Sequence, residues 1–316
     1  LPVFSDRVGE QSSLTISIRG KENQAPVAED FAAEIIKTAE YGVTVFGGCC
    51  GTTPEFIAAV KAALENAHFT EKAPKTRNGV CSATAVAEFS GVRVVGERIN
   101  PTGKKRFADA LRNDDIGYIL SQGIEQQDAG ADILDVNVGL PDINEPEMME
   151  TVVKRLQGVV DLPLQIDSSD ISAIEAGLRY YNGKPIVNSV NGDEKTLDKI
   201  LPLCKKYGAA VIGLTMDSSG IPQTADERIA IARRIVAAAE RHGIDKDNII
   251  IDCLTLTVSA QQEQAMETLR AVRTVSQDMG LNTTLGVSNI SFGLPKPNSL
   301  TTEYVSRRSP LKGRSR

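Results

Sequence analysis

Aspartate and asparagine recur where the short apolar runs of this sequence end. Each run is rich in Val, Ile and Leu and has the length of a buried strand. Because the carboxyl ends of the strands in a parallel barrel open on one rim, we expect these side chains to meet there. Their carboxylates accept hydrogen bonds, and their amides both donate and accept. The predicted rim comprises Asn100, Asp135, Asn137, Asp167, Asn188, Asn191, Asp217, Asp252 and Asn289.

The composition of this rim limits what it can bind. Arg98 is the one basic side chain near the predicted strand ends, so the rim is poorly suited to phosphate. A neutral, flat heterocycle with several N–H and C=O groups would suit it better, since carboxylates accept paired N–H donors. The alternative for any single aspartate is structural, because such residues also cap helices and start turns. Their recurrence at seven strand ends favours a binding rim.

A second candidate site lies between Gly47 and Pro54. Cys49 and Cys50 are adjacent there, between a predicted strand and a helix that Pro54 would begin. The positive end of a helix favours thiolate over thiol, and thiolate is the form that binds zinc. Catalytic zinc commonly takes three protein ligands, and only two are evident, since Cys81 falls in a polar segment. The alternative is that both cysteines are small apolar residues packed at a barrel end.

The elements that would position these residues alternate between strand and helix. The interval from one polar strand end to the next is roughly 20 to 40 residues, which is the βα period of a barrel. Helices are predicted from Pro26, from Pro54, over 115–129 and over 224–241, where apolar residues recur at helical spacing. The predicted fold class is α/β, with a (β/α)8 TIM barrel from Val92 onward that is incomplete at its C-terminus.

The overall charge and hydrophobicity exclude several classes of partner. A net charge of -6 and an isoelectric point near 5.2 argue against nucleic acid or an anionic membrane. No apolar run approaches the roughly 18 residues of a membrane span, and the N-terminus does not resemble a signal peptide, so we expect a cytoplasmic protein. The chain begins at Leu1 and ends in a basic tail without an eighth strand. We therefore expect a fragment, truncated or altered in reading frame at its end.

Two motifs, the run from Gly47 to Pro54 and the run from Gly96 to Asn100, closely resemble the cobalamin-dependent methionine synthase family. The resemblance covers roughly residues 1–295. It implies a pterin-binding barrel of the dihydropteroate synthase-like type, preceded by the last βα units of a second TIM barrel. The implied domains are the C-terminal part of a homocysteine-binding zinc domain over 1–68, a linker over 69–91, a truncated pterin-binding domain over 92–295 and an atypical basic tail over 296–316.

The same resemblance implies roles for individual residues. Cys49 and Cys50 match two of the three zinc ligands of the family, and the third lies on a strand that would precede Leu1. Asn289 matches the asparagine that helps N5 of the folate become a leaving group, and it is the implied catalytic residue. Glu97 and Arg98 are expected to form a structural ion pair. The implied contacts to the pterin ring are Asp167, Asn188 and Asp252, with Asn100, Asp135, Asn137 and Asn191 as further contacts and Asp217 as a weaker match.

The function implied by the resemblance is methyl transfer from 5-methyltetrahydrofolate to cob(I)alamin and on to zinc-activated homocysteine, which forms methionine and tetrahydrofolate. Cobalamin would be bound by a domain or a corrinoid protein that this sequence does not contain. Two alternatives remain open. One is another enzyme on the same fold, either a methyltransferase that serves a corrinoid protein or a dihydropteroate synthase, and the other is an inactive folate-binding fragment.

Overall fold

The computed structural model describes residues 27–39, 43, 45–48, 51–65, 67, 78–257 and 262–286. The chain divides into two compact units, Leu1–Lys75 and Thr76–Arg316. The first unit contains two helices, α1 (Ala28–Ile36) and α2 (Pro54–Leu64). They pack through a small apolar core, in which the rings of Phe31 and Phe56 meet edge to face with their centroids 5.4 Å apart.

Helix α2 begins where the sequence predicts, with Pro54 in its first turn. Proline suits that position because its fixed φ is helical and its missing N–H would have had no partner there. The preceding Thr53 does not cap the helix through its side chain. Its hydroxyl donates instead to the carboxylate of Glu55.

The second unit opens with a short antiparallel hairpin of β1 (Gly79–Cys81) and β2 (Val86–Glu88). A seven-stranded parallel sheet follows, in which the strands pair in the order of the sequence. This is the succession of strands that the polar strand ends predicted, and it confirms the α/β fold. The strands of the sheet are β3 (Val95–Ile99), β4 (Ile133–Asn137), β5 (Leu164–Asp167), β6 (Ile186–Val190), β7 (Ala210–Leu214), β8 (Ile249–Asp252) and β9 (Asn282–Thr284).

Helices connect successive strands and cover the outer face of the sheet. They are α3 (Lys105–Arg112), α4 (Ile116–Asp128), α5 (Glu145–Leu156), α6 (Ile171–Tyr180), α7 (Glu194–Tyr207), α8 (Ala225–Arg241) and α9 (Gln262–Arg273), with a 3-10 turn at Lys246–Asn248 and a π-helical turn at Thr274–Asp278. Helix α8 is fixed at its start by a capping box, in which Thr224 and Glu227 each bond the other's backbone N–H. None of the described helices is long and apolar enough to cross a membrane.

Two apolar clusters hold the second unit together. The larger lies between the outer face of the sheet and the helices, and it includes Leu134, Ile166 and Val211. The smaller lies on the inner face near the amino ends of the strands, where Ile133, Ile186, Ala210, Ile212 and Ile250 meet Val80 and Ala87 of the hairpin. The hairpin therefore closes the amino-terminal end of the sheet's interior with apolar side chains.

The hairpin is tied to the sheet by close backbone contacts. Cys81 exchanges backbone hydrogen bonds of 3.1 and 2.9 Å with Lys184, and the hydroxyl of Tyr181 donates to the Cys81 carbonyl at 3.0 Å. Gly183 has φ +151, and a Cβ at this position would lie 2.2 Å from the same carbonyl oxygen. Only glycine can be accommodated where the backbone at Gly183 comes so close to the Cys81 carbonyl. The hairpin and α3 were not predicted, and the segment 69–91, for which a linker was predicted, contains the hairpin.

Candidate active site

The side-chain alternation of the strands separates an apolar layer from a polar layer on the inner face of the sheet. In β4, Ile133 joins the inner apolar cluster, while Leu134 and Val136 pack outward against the helices. Successive side chains of a strand point to opposite faces, so Asp135 and Asn137 point inward, above Ile133. The same alternation places Asp252 above Ile250 in β8. The polar residues thus lie toward the carboxyl ends of the strands, as the sequence predicted.

Strand register brings four of the predicted rim residues together. Asn137 lies opposite Asp167, and Asp167 lies opposite Asn188 on the next strand. The Nδ2 of Asn137 donates to the Oδ2 of Asp167 at 3.0 Å, and the Nδ2 of Asn188 approaches the Oδ1 of Asp135 at 3.4 Å. The Oδ1 of Asn137 accepts the backbone N–H of Gly139 at 2.9 Å, which fixes the orientation of its amide. We call Asp135, Asn137, Asp167 and Asn188 the polar cluster.

Gln165 supports this cluster and was missed in the sequence. It lies opposite Asp135 in the neighbouring strand and donates from Nε2 to the Oδ1 of Asp135 at 2.5 Å. Both side chains are buried, with 6% and 2% of their surface exposed. The signal that could have revealed Gln165 is its position two residues before Asp167, because residues at that spacing share one face of a strand.

Burial raises the pKa of both aspartates in the polar cluster. For Asp135 the main cause is loss of solvation, and the negative charge of Asp167 adds to it, while the donors Gln165 and Asn188 oppose it. For Asp167 burial is again the main cause, opposed by the amide of Asn137. Two adjacent buried carboxyls cannot both ionise cheaply. The pair therefore retains a proton at higher pH than surface aspartates do, and it can offer both a donor and an acceptor.

Asp252 lies on the same inner face but is held separately, at the end of β8. Its Oδ1 accepts the backbone N–H of Leu254 at 2.7 Å. Burial raises the pKa of Asp252 to about 6, and the Leu254 N–H limits that rise. Leu254 has φ +56, the left-handed region that residues with a side chain seldom adopt. The tight turn after β8 therefore gives Asp252 its orientation.

Asn100 follows the end of β3, and Glu97 lies in the middle of that strand. Asn100 is 7% exposed, donates from Nδ2 to the Oε1 of Glu97 at 3.2 Å, and accepts the N–H of Thr102 at 2.9 Å. The charge of Glu97 contributes to the raised pKa values of Asp135 and Asp167. The ion pair predicted between Glu97 and Arg98 is absent among the described contacts. That prediction was wrong, and the Glu97 carboxylate accepts from the amide of Asn100 instead.

Two further predicted residues have structural roles. The Oδ1 of Asn191 accepts the N–H of Asp193 at 3.0 Å, a local turn that leads into α7. Asp217 lies beyond the end of β7, accepts from the Nη2 of Arg234 on α8 at 3.0 Å, and accepts the N–H of Ser219 at 3.0 Å. These partners satisfy both oxygens of Asp217. Its match to the rim was therefore misleading, since an aspartate that follows a strand also starts turns.

Three predicted residues lie outside the described part of the chain. They are Asn289, for which a catalytic role was predicted, and the two predicted zinc ligands, Cys49 and Cys50. Among the residues that the structure describes, no group of three or more His, Cys, Asp or Glu side chains is arranged to hold a metal ion.

Solved structures with the same fold include dihydropteroate synthases. The enzyme of Xanthomonas albilineans with 4-aminobenzoic acid is similar over 67% of this chain and 78% of its own, with a TM-score of 0.54 and 19% identity. The enzyme of Stenotrophomonas maltophilia with active-site-bound imidazole is similar over 71% of this chain and 82% of its own, with a TM-score of 0.53 and 19% identity. At this level of identity the likeness concerns the fold alone.

Curated relatives include two proteins named methionine synthase. The one from Mycobacterium leprae is 34% identical over 87% of this chain, and the one from Mycobacterium tuberculosis is 35% identical over 87%. The chain spans about a quarter of their length, 24% in each case. The family model for homocysteine S-methyltransferase matches residues 11–64, and the model for pterin binding enzymes matches residues 96–312. The chain belongs to the pterin binding enzyme family.

Proposed function

We propose that the second unit of this chain binds 5-methyltetrahydrofolate by the edge of its pterin ring. The observation that carries the proposal is the polar cluster, in which carboxyl and amide groups of three adjacent strands lie in register at the mouth of an apolar interior. A pterin edge presents several N–H donors and ring acceptors in one plane. Carboxylates, carboxamides and a retained carboxyl proton can meet both kinds of group.

The exposure and the hydrogen bonds of these side chains indicate which of them contact the ligand and which orient a neighbour. Asp167 and Asn188 are half-buried and face the mouth, and Asp252 approaches from β8, so we assign the direct contacts to these three. Asp135 is nearly fully buried and is bonded by Gln165 and Asn188. We therefore assign Asp135 the task of orienting Asn188, and Asn137 the task of orienting Asp167. Asn100 lies at the edge of the same surface, beside Glu97.

The chemistry at N5 requires that nitrogen to gain positive character before its methyl group can leave. An amide that hydrogen-bonds N5 as it is protonated stabilises the transition state without a charged side chain. We assign this role to Asn289, at the carboxyl end of the chain's last predicted strand. Asp167 and Asn188 would hold the ring in place during the transfer.

The complete reaction that we propose is methyl transfer to cob(I)alamin and on to homocysteine, within a methionine synthase. It is supported by the names of the two mycobacterial relatives and by the homocysteine S-methyltransferase match over residues 11–64. Cobalamin, when bound, supplies the nucleophile that accepts the methyl group, and we propose that a separate domain or a corrinoid protein carries it. We propose Cys49 and Cys50 as zinc ligands, and residues 1–68 as part of the homocysteine-binding domain.

A second candidate function is that of a dihydropteroate synthase-like enzyme, which is compatible with the match to the pterin binding enzyme family. Such an enzyme must bind the pyrophosphate of its pterin substrate, which calls for basic side chains at the rim. The polar cluster consists instead of acids and amides, and its neighbour Glu97 adds a further acid. The electrostatics of the described rim therefore favour a folate without a pyrophosphate.

Isothermal titration distinguishes these functions. The 316-residue chain is titrated with 5-methyltetrahydrofolate, with p-aminobenzoylglutamate, which lacks the pterin, and with a dihydropterin pyrophosphate. We expect binding of the first ligand, none of the second, and weak binding of the third. Preference for the pyrophosphate would favour the dihydropteroate synthase-like function. Absence of binding to all three would refute the assignment of a pterin site.

A further inference from the structure

A buried arginine outside the proposed ligand contacts fixes the turn that carries Asp252. Arg228 is in α8, and none of its surface is exposed. A charged side chain so deeply buried normally has a carboxylate partner. In the described part of the chain, no ion pair joins Arg228 to an acid. Its guanidinium is bound instead by carbonyl, hydroxyl and amide oxygens.

The acceptors around Arg228 belong to the connections that follow β7 and β8. Its Nη1 donates to the carbonyls of Cys253 and Leu254 at 3.0 and 3.1 Å and to the Oγ1 of Thr268 at 2.6 Å. Its Nε donates to the carbonyl of Pro222 at 3.0 Å, and its Nη2 donates to the Oε1 of Gln264 at 2.7 Å. The planar guanidinium of Arg228 thus joins three segments. They are the connection that precedes α8, the turn after β8, and helix α9.

The turn after β8 is held from two sides. Arg228 binds the carbonyl of Leu254, and the carboxylate of Asp252 binds the N–H of the same residue. Leu254 has φ +56, a conformation that is unfavourable for a residue with a side chain and persists only where its surroundings fix it. Arg228 supplies that constraint from behind the turn, while Asp252 faces the interior of the sheet.

From this geometry we infer that Arg228 is a positioning residue for Asp252. By holding the left-handed turn at Leu254, it keeps the Leu254 N–H on the Oδ1 of Asp252, so that the carboxylate is presented to the pterin edge in one orientation. The inference rests on the proposed function for the assignment of the pterin as ligand. Arg228 itself contacts no substrate, because it is buried behind the turn.

The substitution Arg228→Lys should change both the pKa of Asp252 and the affinity for 5-methyltetrahydrofolate. Lysine keeps the positive charge but has a single nitrogen, which cannot reach acceptors on three elements at once. The Leu254 N–H would then bond Asp252 less well. Since that hydrogen bond lowers the pKa of Asp252, the pKa of Asp252 should rise in the variant. Binding of 5-methyltetrahydrofolate should weaken at least fivefold at neutral pH.

The experiment combines a titration of Asp252 with a double-mutant cycle. Carbon-13 NMR of aspartate-labelled chain follows the Asp252 carboxyl, identified by its loss in Asp252→Asn, in the wild type and in Arg228→Lys. We expect the midpoint to move to higher pH in Arg228→Lys and to stay in place in Arg233→Lys, which changes an exposed arginine of the same helix. Thr268→Val removes one hydroxyl that binds both Arg228 and Leu254, and it should move the midpoint in the same direction by less.

The cycle then separates positioning from general loss of structure. The Kd for 5-methyltetrahydrofolate is measured in Arg228→Lys, in Asp252→Asn and in the double variant. We expect Arg228→Lys to have no further effect once Asp252 is replaced. An unchanged Asp252 midpoint in both Arg228→Lys and Thr268→Val, or additive effects on Kd, would overturn the inference. If the Asp252 midpoint moves in Arg228→Lys but the wild-type chain binds no folate, the proposed function is overturned and the positioning of Asp252 stands.

Discussion

Asn137 donates a hydrogen bond of 3.0 Å to the carboxylate of Asp167, the residue directly opposite it on the neighbouring parallel strand. The register of β4 and β5 thus fixes the orientation of the carboxylate that we assign to the pterin ring. The amide of Asn137 is itself fixed by the N–H of Gly139. Side chains held in this way lose little freedom when a ligand binds, which favours affinity.

The first prediction concerns Asp167→Asn. We expect 5-methyltetrahydrofolate to bind about 10- to 100-fold more weakly, because hydrogen bonds to charged groups contribute roughly 1.5–3 kcal/mol. Isothermal titration measures the effect. The matched control is Asp217→Asn, which changes an aspartate that is bonded to Arg234 outside the cluster, and its affinity should equal that of the wild type. Equal losses in the two variants would contradict the assignment.

The second prediction concerns the pH dependence of stability. The pKa of Asp252 is about 6 in the folded chain, whereas an unfolded aspartate titrates near 4. Between these values the unfolded chain loses its proton first, so the free energy of unfolding falls as the pH rises, by about 3 kcal/mol at most. Asp252→Asn should therefore be more stable than the wild type at pH 7.5, by about 1–3 kcal/mol, and similar to it at pH 4.

Urea unfolding at the two pH values measures this difference. Asp128→Asn is the control, since Asp128 is an exposed aspartate at the end of α4, and it should not change the slope between pH 4 and pH 7.5. A stability difference between wild type and Asp252→Asn that is the same at both pH values would show that Asp252 ionises freely in the folded chain.

The third prediction concerns Asn289→Ala. If this asparagine acts on N5 during transfer, its loss should lower the methyl-transfer rate about 100-fold or more while the Kd of 5-methyltetrahydrofolate changes little, because the interaction forms mainly in the transition state. Single-turnover kinetics with free cob(I)alamin measure the rate, and isothermal titration measures the affinity. An unchanged rate would remove Asn289 from the mechanism.

The fourth prediction concerns Gly183, where the hairpin meets the sheet. Gly183→Ala places a Cβ 2.2 Å from the carbonyl oxygen of Cys81 at φ +151, so we expect a loss of about 2 kcal/mol or more of unfolding free energy. Gly117→Ala is the control, since its Cβ would meet only the Oδ1 of Asp115 at 3.6 Å in α4. It should stabilise the chain by up to about 1 kcal/mol. Thermal unfolding compares the two variants, and equal effects would contradict this reading of the contact.

Most of the sheet could be predicted because most of its strands are compact apolar runs, and β4, β5 and β8 end on Asn or Asp. Asp135, Asp167 and Asp252 could be placed on one face because strand residues alternate with a period of two. Gln165 was missed because it lies in the middle of its strand. Asp217 was misplaced because the sequence does not distinguish a rim carboxylate from one that starts a turn and pairs with Arg234 on α8.

Contacts between distant segments limited the remaining predictions. The hairpin of β1 and β2 is short, and its pairing with Lys184 joins residues about a hundred positions apart. Arg228 lies in the first turn of an amphipathic helix, where an arginine is usually exposed. Its carbonyl acceptors at Cys253 and Leu254 become evident only once α8 is packed against the turn after β8.

The layered interior of the sheet assigns folding and recognition to different residues. The apolar layer of Ile133, Ile186, Ile212 and Ile250 is covered at one end by the hairpin, while the polar layer above it carries the groups that we assign to the ligand. A lineage could therefore exchange the polar layer for another set of side chains, and so acquire a different heterocycle, without rebuilding the layer that holds the strands together. A change of ligand specificity in such a scaffold would then require substitutions only in the polar layer.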